Sequence, residues 1–317
     1  MKRVNFSDTA QEVYLSLLGR KPDPDGGRSF VASLEAGDSL GTLISNMIRS
    51  PEFMRRIHAN HLTFDAFKPI CTLLDDRLRL WIDLHDAHVS LGCLMDNYEP
   101  KETAFVLDRL APGDTFVDIG ANVGWFTIRG ADRVGPKGRV HSFEPRTQTH
   151  ALLARSIKDN GFDKRCSLHK VALASEVAAS RLVWMPETEN PGGSRLVRDN
   201  AELVDDMAGE DVQMVTLDSI DIQGNVPVMK LDVEGAEAMV LQGAKTFLET
   251  HRPVILTEVF GQALRHVSKV DLAEFVGIVN NLGYSVRMLE DDGAGPEVTD
   301  LERLETPGPI SCVLMPR

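Results

Sequence analysis

The sequence predicts a doubly wound α/β sheet that follows a small, all-helical N-terminal domain. Strand-like and helix-like patterns alternate from residue 114 to the end of the chain, and acidic residues stand where several of the predicted strands end. Between residues 7 and 57, apolar residues recur at helical spacing instead. At 317 residues the chain is long enough for one large domain and one small domain.

Three segments make up the predicted domain organisation. Residues 1–60 form the helical domain, residues 61–100 form a bridging segment, and residues 101–317 form the large α/β domain. In the large domain, strands are predicted near residues 114–119, 138–144, 166–173, 226–233, 254–260, 284–289 and 310–314, and helices near residues 101–110, 123–134, 146–160, 235–249 and 270–282.

The N-terminal segment carries two recognisable features. The stretches LLGRKPDPDG at residues 17–26 and SPEF at residues 50–53 resemble a small helical domain of unknown function that occurs in bacterial surface, repeat and glycan-associated proteins. No chemistry carries over from that family. Asp23 and Asp25 before Gly26 match half of a calcium loop, but no distal glutamate is recognisable, so the pattern favours a capped turn.

The most informative segment runs from residue 114 to residue 124. An apolar strand ends near Asp118 and opens onto a turn with Gly120 and Gly124, where the missing Cβ atoms let the backbone approach a ligand. The helix that follows offers unpaired N–H groups. A dinucleotide site would carry a third glycine, and Asp118 would repel a phosphate. The turn therefore favours a cationic, phosphate-free cofactor such as S-adenosylmethionine (SAM).

A second acid, Glu144, supports a nucleotide-like cofactor. Glu144 ends the next predicted strand, about 20 residues after the glycine turn, where an acid binds ribose hydroxyls. Pro145 stops the strand at that point. The alternative is that Asp118 and Glu144 only cap helices or are solvated. Under that alternative, the position of two acids at two successive strand ends would be a coincidence.

Five motifs in this order resemble the FkbM family of SAM-dependent methyltransferases. The similarity covers residues 95–260, and a closing strand at residues 310–314 extends it more weakly. It implies a Rossmann-like class I methyltransferase sheet with SAM as the cofactor. The motifs are VDIGANVG at residues 117–124, FEP at 143–145, VAL at 171–173, VTLD at 215–218 and KLDVEGAE at 230–237.

The resemblance also implies which residues contact the cofactor. In the family, the segment at residues 98–100 precedes the cofactor domain and closes over the SAM pocket. Glu99 is accordingly expected to contact the amino group of SAM, with capping of the following helix as the alternative. The full set of predicted cofactor-binding residues is Glu99, Asp118, Gly120, Asn122, Gly124, Glu144, Pro145, Val171, Ala172 and Asp232.

Acids after two neighbouring strands are the predicted catalytic residues. Methyl transfer from a sulfonium to an oxygen requires alignment and removal of a proton, and it needs no covalent nucleophile. Asp232 and Glu234 project to one side of a strand end, and Glu258 ends the next strand. The three acids supply either a general base or, through Asp232 and Glu258, a Mg²⁺ site. Mg²⁺ is implied by the resemblance to macrolide-sugar methyltransferases.

The acceptor site is predicted from a long irregular segment at residues 186–210. Long loops in compact domains usually carry function, and in the family a loop here covers the acceptor. Ser194 and Arg195 are therefore candidate substrate contacts, with a flexible surface turn as the alternative. His266 is a further candidate at the acceptor site.

Composition excludes several other functions. The formal charge is −13, and residues 61–317 alone carry −14, so the chain lacks the basic face that a nucleic acid requires. The longest apolar runs have the length of strands, and the N-terminus lacks an apolar signal region, so no membrane span and a cytoplasmic location are expected. Cys71, Cys93, Cys166 and Cys312 show no paired spacing typical of a zinc site or a disulfide framework.

These observations lead to one hypothesis and two alternatives. The hypothesis is a SAM-dependent O-methyltransferase of the FkbM type that methylates a sugar hydroxyl in a bacterial glycan or a glycosylated metabolite. A methyltransferase for another small molecule or a lipid is the first alternative. The second is a non-catalytic SAM-binding scaffold that its helical domain recruits to glycan machinery. The expected partner is a carbohydrate or glycosylated small-molecule acceptor, and the oligomeric state, a homo-oligomer included, stays open.

Overall fold

In the computed structural model the chain divides into two units, residues 1–66 and residues 67–317. The residues predicted to form a bridging segment lie in the second unit from residue 67 onward. The structure describes residues 6–18, 20–38, 43, 46, 47, 50, 52, 67, 69–83, 85, 86, 89–184, 194–197 and 207–317.

The first unit is helical where it is described. It contains α1 (Phe6–Leu18) and α2 (Pro24–Glu35). Helix α2 begins after Asp23, whose side chain accepts a hydrogen bond from the Gly26 N–H at 2.8 Å. Asp23 is thus a helix cap, in agreement with the capped-turn interpretation. The third predicted apolar face, at residues 40–48, lies largely outside the described residues.

The second unit begins with a hairpin and two helices, followed by an alternation of strands and helices. The first elements are β1 (Pro69–Leu74), β2 (Leu78–Asp83), α3 (Val89–Leu94) and α4 (Pro100–Leu107). The next are β3 (Thr115–Ile119), α5 (Trp125–Val134), β4 (Arg139–Phe143), α6 (Thr147–Asp159), β5 (Cys166–His169), β6 (Ala172–Leu173), β7 (Ala178–Trp184), β8 (Arg195–Val197) and β9 (Ala208–Val215). The last are β10 (Val228–Leu231), α7 (Glu237–Gln242), α8 (Lys245–His251), β11 (Val254–Val259), α9 (Gly261–Val267), α10 (Leu272–Asn281), β12 (Tyr284–Glu290), β13 (Gly293–Glu297) and β14 (Ile310–Pro316).

The larger sheet has the strand order β13-β12-β14-β11-β10-β3-β4-β5 in the described part of the chain. Strands β3, β4, β5, β10 and β11 are parallel, and β14 is antiparallel to both of its neighbours. The chain runs outward from β3 to β5 and then returns to form β10 on the other side of β3. This order confirms the predicted doubly wound sheet, and the reversal between β3 and β10 is where such sheets bind ligands.

The core explains why β3 forms a central strand. All five of its residues are buried, as in a strand that is covered on both faces. Phe116 packs in a cluster that includes residues of α4, α5 and α6, whereas Val117 and Ile119 pack in a cluster with residues of α7, α8 and α10. Helices therefore cover both faces of the sheet.

A second, smaller sheet differs from the sequence-based expectation. The segment at residues 166–173 was expected to form one strand, but it forms β5 in the large sheet and β6 in a sheet of order β6-β9-β7-β8. The described part of residues 186–210 is not irregular, since residues 195–197 form β8, which pairs with β7. Strands β6 and β8 have only two and three residues, which is too short for a periodic pattern.

The helix predicted at residues 235–249 is two helices, α7 and α8. Gly243 separates them, and a Cβ at this position would lie 2.0 Å from the Ala174 carbonyl oxygen. The close approach of another chain segment, which periodicity cannot reveal, interrupts the helix here.

Neither a membrane-spanning helix nor a disulfide bond is found among the described residues. None of their helices is long and apolar enough to cross a membrane. The four cysteines are free thiols, of which Cys93 and Cys312 are buried, Cys166 is half-buried and Cys71 is exposed.

Deleting residues 1–66 is expected to leave a folded protein that still binds SAM. Three buried apolar clusters lie within residues 67–317, so the second unit has its own core. Size-exclusion chromatography, thermal melting and calorimetry with SAM would test this result.

A longer deletion of residues 1–84 is the matched control. It removes β1 and β2, whose Leu74, Leu80 and Ile82 are fully buried in the second unit. Each buried side chain of this size contributes about 1.5–3 kcal/mol, so the longer deletion should abolish folding. Aggregation of both variants alike would show that the second unit depends on residues 1–66.

Candidate functional site

A cavity lies at the carboxyl ends of β3, β4 and β10, where the chain order across the sheet reverses. It holds about 870 Å³ of space between protein atoms, part of which is open to solvent. Of the predicted cofactor-binding residues, those that line it are Gly120, Asn122, Glu144, Pro145, Val171, Ala172 and Asp232.

Glu144 joins the end of β4 to the glycine turn. Its carboxylate accepts hydrogen bonds from the Asn122 N–H at 2.9 Å, the Arg146 N–H at 2.9 Å and the Thr149 hydroxyl at 2.8 Å. Burial raises the pKa of Glu144, and the three donors oppose this rise. Within the described residues Oε2 accepts only the Asn122 bond, so it keeps a lone pair that a ligand hydroxyl can use.

The two glycines of the turn have different structural roles. Gly120 has a left-handed backbone (φ +80°), and a Cβ there would lie 1.7 Å from the Asp232 carbonyl oxygen. Gly124 (φ +100°) faces Leu153 of α6, which a Cβ would approach to 2.3 Å. Gly124 does not line the cavity. The absence of a side chain at Gly124 therefore allows close packing against α6 and does not open space for a ligand.

Asp118 is buried within β3 and does not line the cavity. Its Oδ2 accepts a hydrogen bond from the Thr127 hydroxyl at 2.5 Å, whereas its Oδ1 has no hydrogen-bond partner in the described part of the chain. Burial raises the pKa of Asp118 to about 6. The structure thus places Asp118 in a buried polar cluster instead of the cavity wall.

Apolar side chains form much of the remaining wall. Val171, Ala172 and Leu173 follow β5 or form β6, and Leu182 and Leu196 come from β7 and β8. A wall of this kind, beside a few fixed polar groups, is typical of sites that hold a flat organic ring.

A buried lysine lies among the predicted acids. Lys230 is 4% exposed, and its Nζ is 2.6 Å from Asp232 Oδ2 and 3.7 Å from Glu99 Oε2. Burial alone would lower the pKa of Lys230, but the carboxylates of Asp232 and Glu99 raise it overall. Glu99 occupies the N-cap position of α4 without a side-chain capping bond and does not line the cavity. Its carboxylate is therefore paired with Lys230 and does not cap the helix.

Two further carboxyls near Asp232 have raised pKa values. Burial, with Asp232 nearby, raises the pKa of Glu234 and the pKa of Glu258 to about 8 each. Glu234 lines the cavity, and Glu258 does not. Glu234 also has a left-handed backbone (φ 53°), a conformation that costs energy for a residue other than glycine. Of these two acids, only Glu234 therefore has access to the cavity.

The predicted metal ligand Asp232 lies beside a lysine. Among the residues that the structure describes, no group of three or more His, Cys, Asp or Glu side chains is arranged to hold a metal ion. The Lys230 ammonium, 2.6 Å from Asp232, already supplies the cation beside this carboxylate. The arrangement does not support the expected Mg²⁺ site at Asp232 and Glu258, and we assign no step to a metal.

The three predicted acceptor contacts lie in different environments. Ser194 lines the cavity together with Leu196, two residues further along. Arg195 does not, because alternate residues of a strand project to opposite faces. His266 is exposed on α9 and lies outside the cavity lining. The structure thus brings Ser194 into the cavity and leaves Arg195 and His266 outside it.

The sequence patterns do not identify several of the cavity residues. Leu182 and Leu196 belong to the small sheet, which the sequence pattern did not predict. Val89 precedes the glycine turn by some 30 residues and carries no motif. Thr149 had a usable signal, because a hydroxyl in the first turn of a helix can reach a carboxylate at the preceding strand end.

Comparison with known proteins identifies relatives of this chain. Residues 118–286, more than half of the chain, match the family model described as the methyltransferase FkbM domain. The chain is 27% identical over 208 residues to Methyltransferase 1 of Beauveria bassiana, an alignment that covers 59% of this chain and 79% of that protein. It is 26% identical over 229 residues to the 31-O-demethyl-FK506 methyltransferase FkbM of Streptomyces tacrolimicus, with 63% and 84% covered. The crystal structure of methyltransferase FkbM from Methylobacillus flagellatus aligns with 99% of this chain and 63% of that chain, at 15% identity and a TM-score of 0.40.

Proposed function

The chain belongs to the FkbM methyltransferase family, and we propose that it transfers the methyl group of SAM to a sugar hydroxyl in a glycan or a glycosylated metabolite. The observation that carries the proposal is the composition of one cavity. Glu144 and an apolar wall line it together with Asp232 and Glu234. Glu144 and the apolar wall suit the binding of a nucleoside, and Glu234 can accept a proton.

The cavity residues fit SAM. The Asn122 Oδ1 atom is buried without a hydrogen-bond partner in the described part of the chain, and such an acceptor is expected to meet a donor on a ligand. Glu144 would hold the ribose hydroxyls, Val171 and Ala172 would contact the base, and Asp232 would face the amino-acid part. SAM supplies a methyl group that its positively charged sulfur activates.

The local charge also suits a cationic donor. Lys230 interacts electrostatically with five of the predicted site carboxyls, which are those of Glu99, Asp118, Asp232, Glu234 and Glu258. Acidic side chains therefore outnumber cations in this cluster of described residues. Glu234 and Glu258, with pKa values of about 8, are largely neutral at pH 7, so Asp118 and Asp232 together with Lys230 leave a small negative charge, which attracts a sulfonium and repels phosphates. With the formal charge of −13, this supports a neutral acceptor over a polyanion.

Glu234 is the proposed general base. It lines the cavity, and a carboxyl with a pKa of about 8 is a strong base once it is ionised. The Glu234 carboxylate would take the proton of the acceptor hydroxyl, whose oxygen would form a bond to the methyl carbon as the methyl–sulfur bond breaks and neutral S-adenosylhomocysteine leaves. The other cavity acids are less available, because Asp232 is paired with Lys230 and Glu144 accepts three hydrogen bonds.

Fewer observations support the class of the acceptor than support methyl transfer itself. The name of the Streptomyces relative assigns it the O-methylation of a demethylated FK506, which supports oxygen as the methylated atom. Ser194 and Glu234, which both line the cavity, offer polar contacts for hydroxyl groups of an acceptor. Another small molecule or a lipid is the alternative acceptor, and a SAM-binding scaffold without turnover is the non-catalytic alternative.

A panel of acceptors tests the proposal. The protein is incubated with methyl-labelled SAM and, separately, with nucleotide sugars, extracted glycans, glycosylated small molecules and lipid extracts. Label in a carbohydrate fraction supports the proposed function. Label confined to the lipids would reject the sugar acceptor, and SAM binding without transfer to any fraction would favour the scaffold.

Chelation is expected to leave methyl transfer unchanged. The Lys230 ammonium, 2.6 Å from Asp232, already neutralises this carboxylate, and the described residues include no cluster of three or more potential metal ligands. Rates measured on a confirmed acceptor with and without EDTA would check this. Loss of the rate on chelation and its recovery with added Mg²⁺ would contradict the metal-free assignment.

A further inference from the structure

We propose that Lys230 is a positioning residue of this site, whose buried ammonium ties the turn before α4 to the end of β10. The inference rests on the proposed function, because it takes the cavity beside Asp232 to be the SAM site. Lys230 does not line that cavity. It therefore acts through the carboxylates that it holds.

The ammonium of Lys230 meets three elements at one point. Asp232 Oδ2, at the end of β10, lies 2.6 Å from Nζ, and Glu99 Oε2, in the turn before α4, lies 3.7 Å from it. The Nζ atom also lies 4.7 Å from the centre of the Phe126 ring, in the first turn of α5. This helix follows the glycine turn directly, so Lys230 joins the parts of the chain that meet around the cavity.

The turn before α4 needs such a contact. Glu99 has a left-handed backbone (φ 43°, ψ 61°), which a residue other than glycine keeps only when its surroundings hold it. The Trp125 indole donates to the Thr103 hydroxyl at 2.8 Å, and that hydroxyl donates to the Tyr98 carbonyl at 3.1 Å. These bonds fix the backbone on either side of Glu99, and Lys230 fixes its carboxylate.

The charges around Lys230 explain why a cation is required. Side chains of Glu99 and Asp232 are only 19% and 21% exposed, so two carboxylates share a space with little water. Burial and Asp232 raise the pKa of Glu99, and Lys230 opposes this rise. Without the ammonium the two carboxylates would repel each other, and Asp232 would no longer be held at the cavity wall.

Calorimetric titration with SAM tests the inference on the full-length chain. Lys230→Met is expected to weaken SAM binding about 30-fold, because it leaves the buried carboxylates of Asp232 and Glu99 without their cation and releases Asp232 from its position at the cavity wall. Lys230→Arg, which keeps the cation, should restore most of the affinity. Lys101→Met is the matched control, because Lys101 pairs with Asp291 at an exposed position and should leave the affinity unchanged.

A double-mutant cycle separates positioning from direct contact. Glu99→Gln should weaken SAM binding about tenfold in the wild type and have no further effect in Lys230→Met, because both changes break the same link. In steady-state kinetics Lys230→Met should raise the KM for SAM far more than it lowers kcat. The proposal would be overturned if Glu99→Gln weakened SAM binding equally in the wild type and in Lys230→Met. It would also be overturned if Lys230→Met bound SAM as tightly as the wild type does.

Two outcomes need separate treatment. If Lys230→Met does not fold, Glu99→Gln alone decides, and unchanged affinity in that variant overturns the proposal. If the wild type itself does not bind SAM, the proposed function fails and this inference fails with it. If the wild type binds SAM and neither variant loses affinity for SAM, the proposed role of Lys230 is rejected but the proposed function is not.

Discussion

Replacing Glu234 by Gln is expected to lower kcat for methyl transfer by about 10²- to 10⁴-fold, the usual contribution of a general base. Glutamine keeps the size of the side chain but cannot take the proton of the acceptor hydroxyl. Because burial raises the pKa of Glu234 to about 8, only its ionised form is a base, and the wild-type rate should rise with pH up to that pKa. The Gln variant should lose this dependence. Steady-state rates across pH 6 to 10, with SAM and acceptor saturating, would measure both effects.

Glu258→Gln is the matched control for Glu234→Gln. The two carboxyls share a pKa raised by burial to about 8, but Glu258 does not line the cavity. Its replacement should therefore change kcat only a few-fold. A large loss in Glu258→Gln beside full activity in Glu234→Gln would move the base to β11 and reject the proposed orientation of the acceptor.

Glu144→Ala is expected to weaken SAM binding by about 1.5–3 kcal/mol, the range for hydrogen bonds to a charged group. This corresponds to a loss of about 10- to 150-fold in affinity. The Glu144 carboxylate has two roles in the structure: it holds the Asn122 N–H of the glycine turn and keeps capacity for the ribose hydroxyls. Isothermal titration calorimetry with SAM measures the change.

The control for Glu144→Ala is Glu210→Gln. Glu210 accepts hydrogen bonds from the N–H and the hydroxyl of Thr147 at the start of α6 but does not line the cavity. Glu210→Gln should leave the affinity for SAM unchanged. Thermal melts must show that Glu144→Ala is folded, since it leaves the Asn122 and Arg146 N–H groups without their acceptor. Wild-type affinity in a folded Glu144→Ala would remove Glu144 from the site.

The large sheet could be predicted because its strands are marked by local pattern. Continuous apolar stretches such as that of β3, each ending near an acid, mark buried parallel strands without any knowledge of their partners. The five motifs then indicated the family, and the family domain matches residues 118–286. Seven of the predicted cofactor contacts line one cavity, although their contact with SAM stays a proposal.

The remaining features depend on contacts between distant segments. Gly124 resembles a ligand-facing glycine in sequence, and only the position of Leu153 shows that its missing Cβ serves packing. Lys230 looks like one more residue of a motif, and the role proposed for it depends on Glu99, which is 131 positions earlier in the chain. Two strands of the small sheet, β6 and β8, have only two and three residues, which are too few for a periodic signal.

The central claim is that this chain transfers a methyl group from SAM to a hydroxyl oxygen. One measurement tests it most directly: reaction of the wild type with SAM carrying ¹³C in its methyl group, followed by NMR of the product. We expect a signal with the chemical shift of a methyl ether on a sugar, which forms far more slowly in Glu234→Gln. A signal from a methyl group on nitrogen or carbon, or no product signal while SAM remains bound, would contradict it.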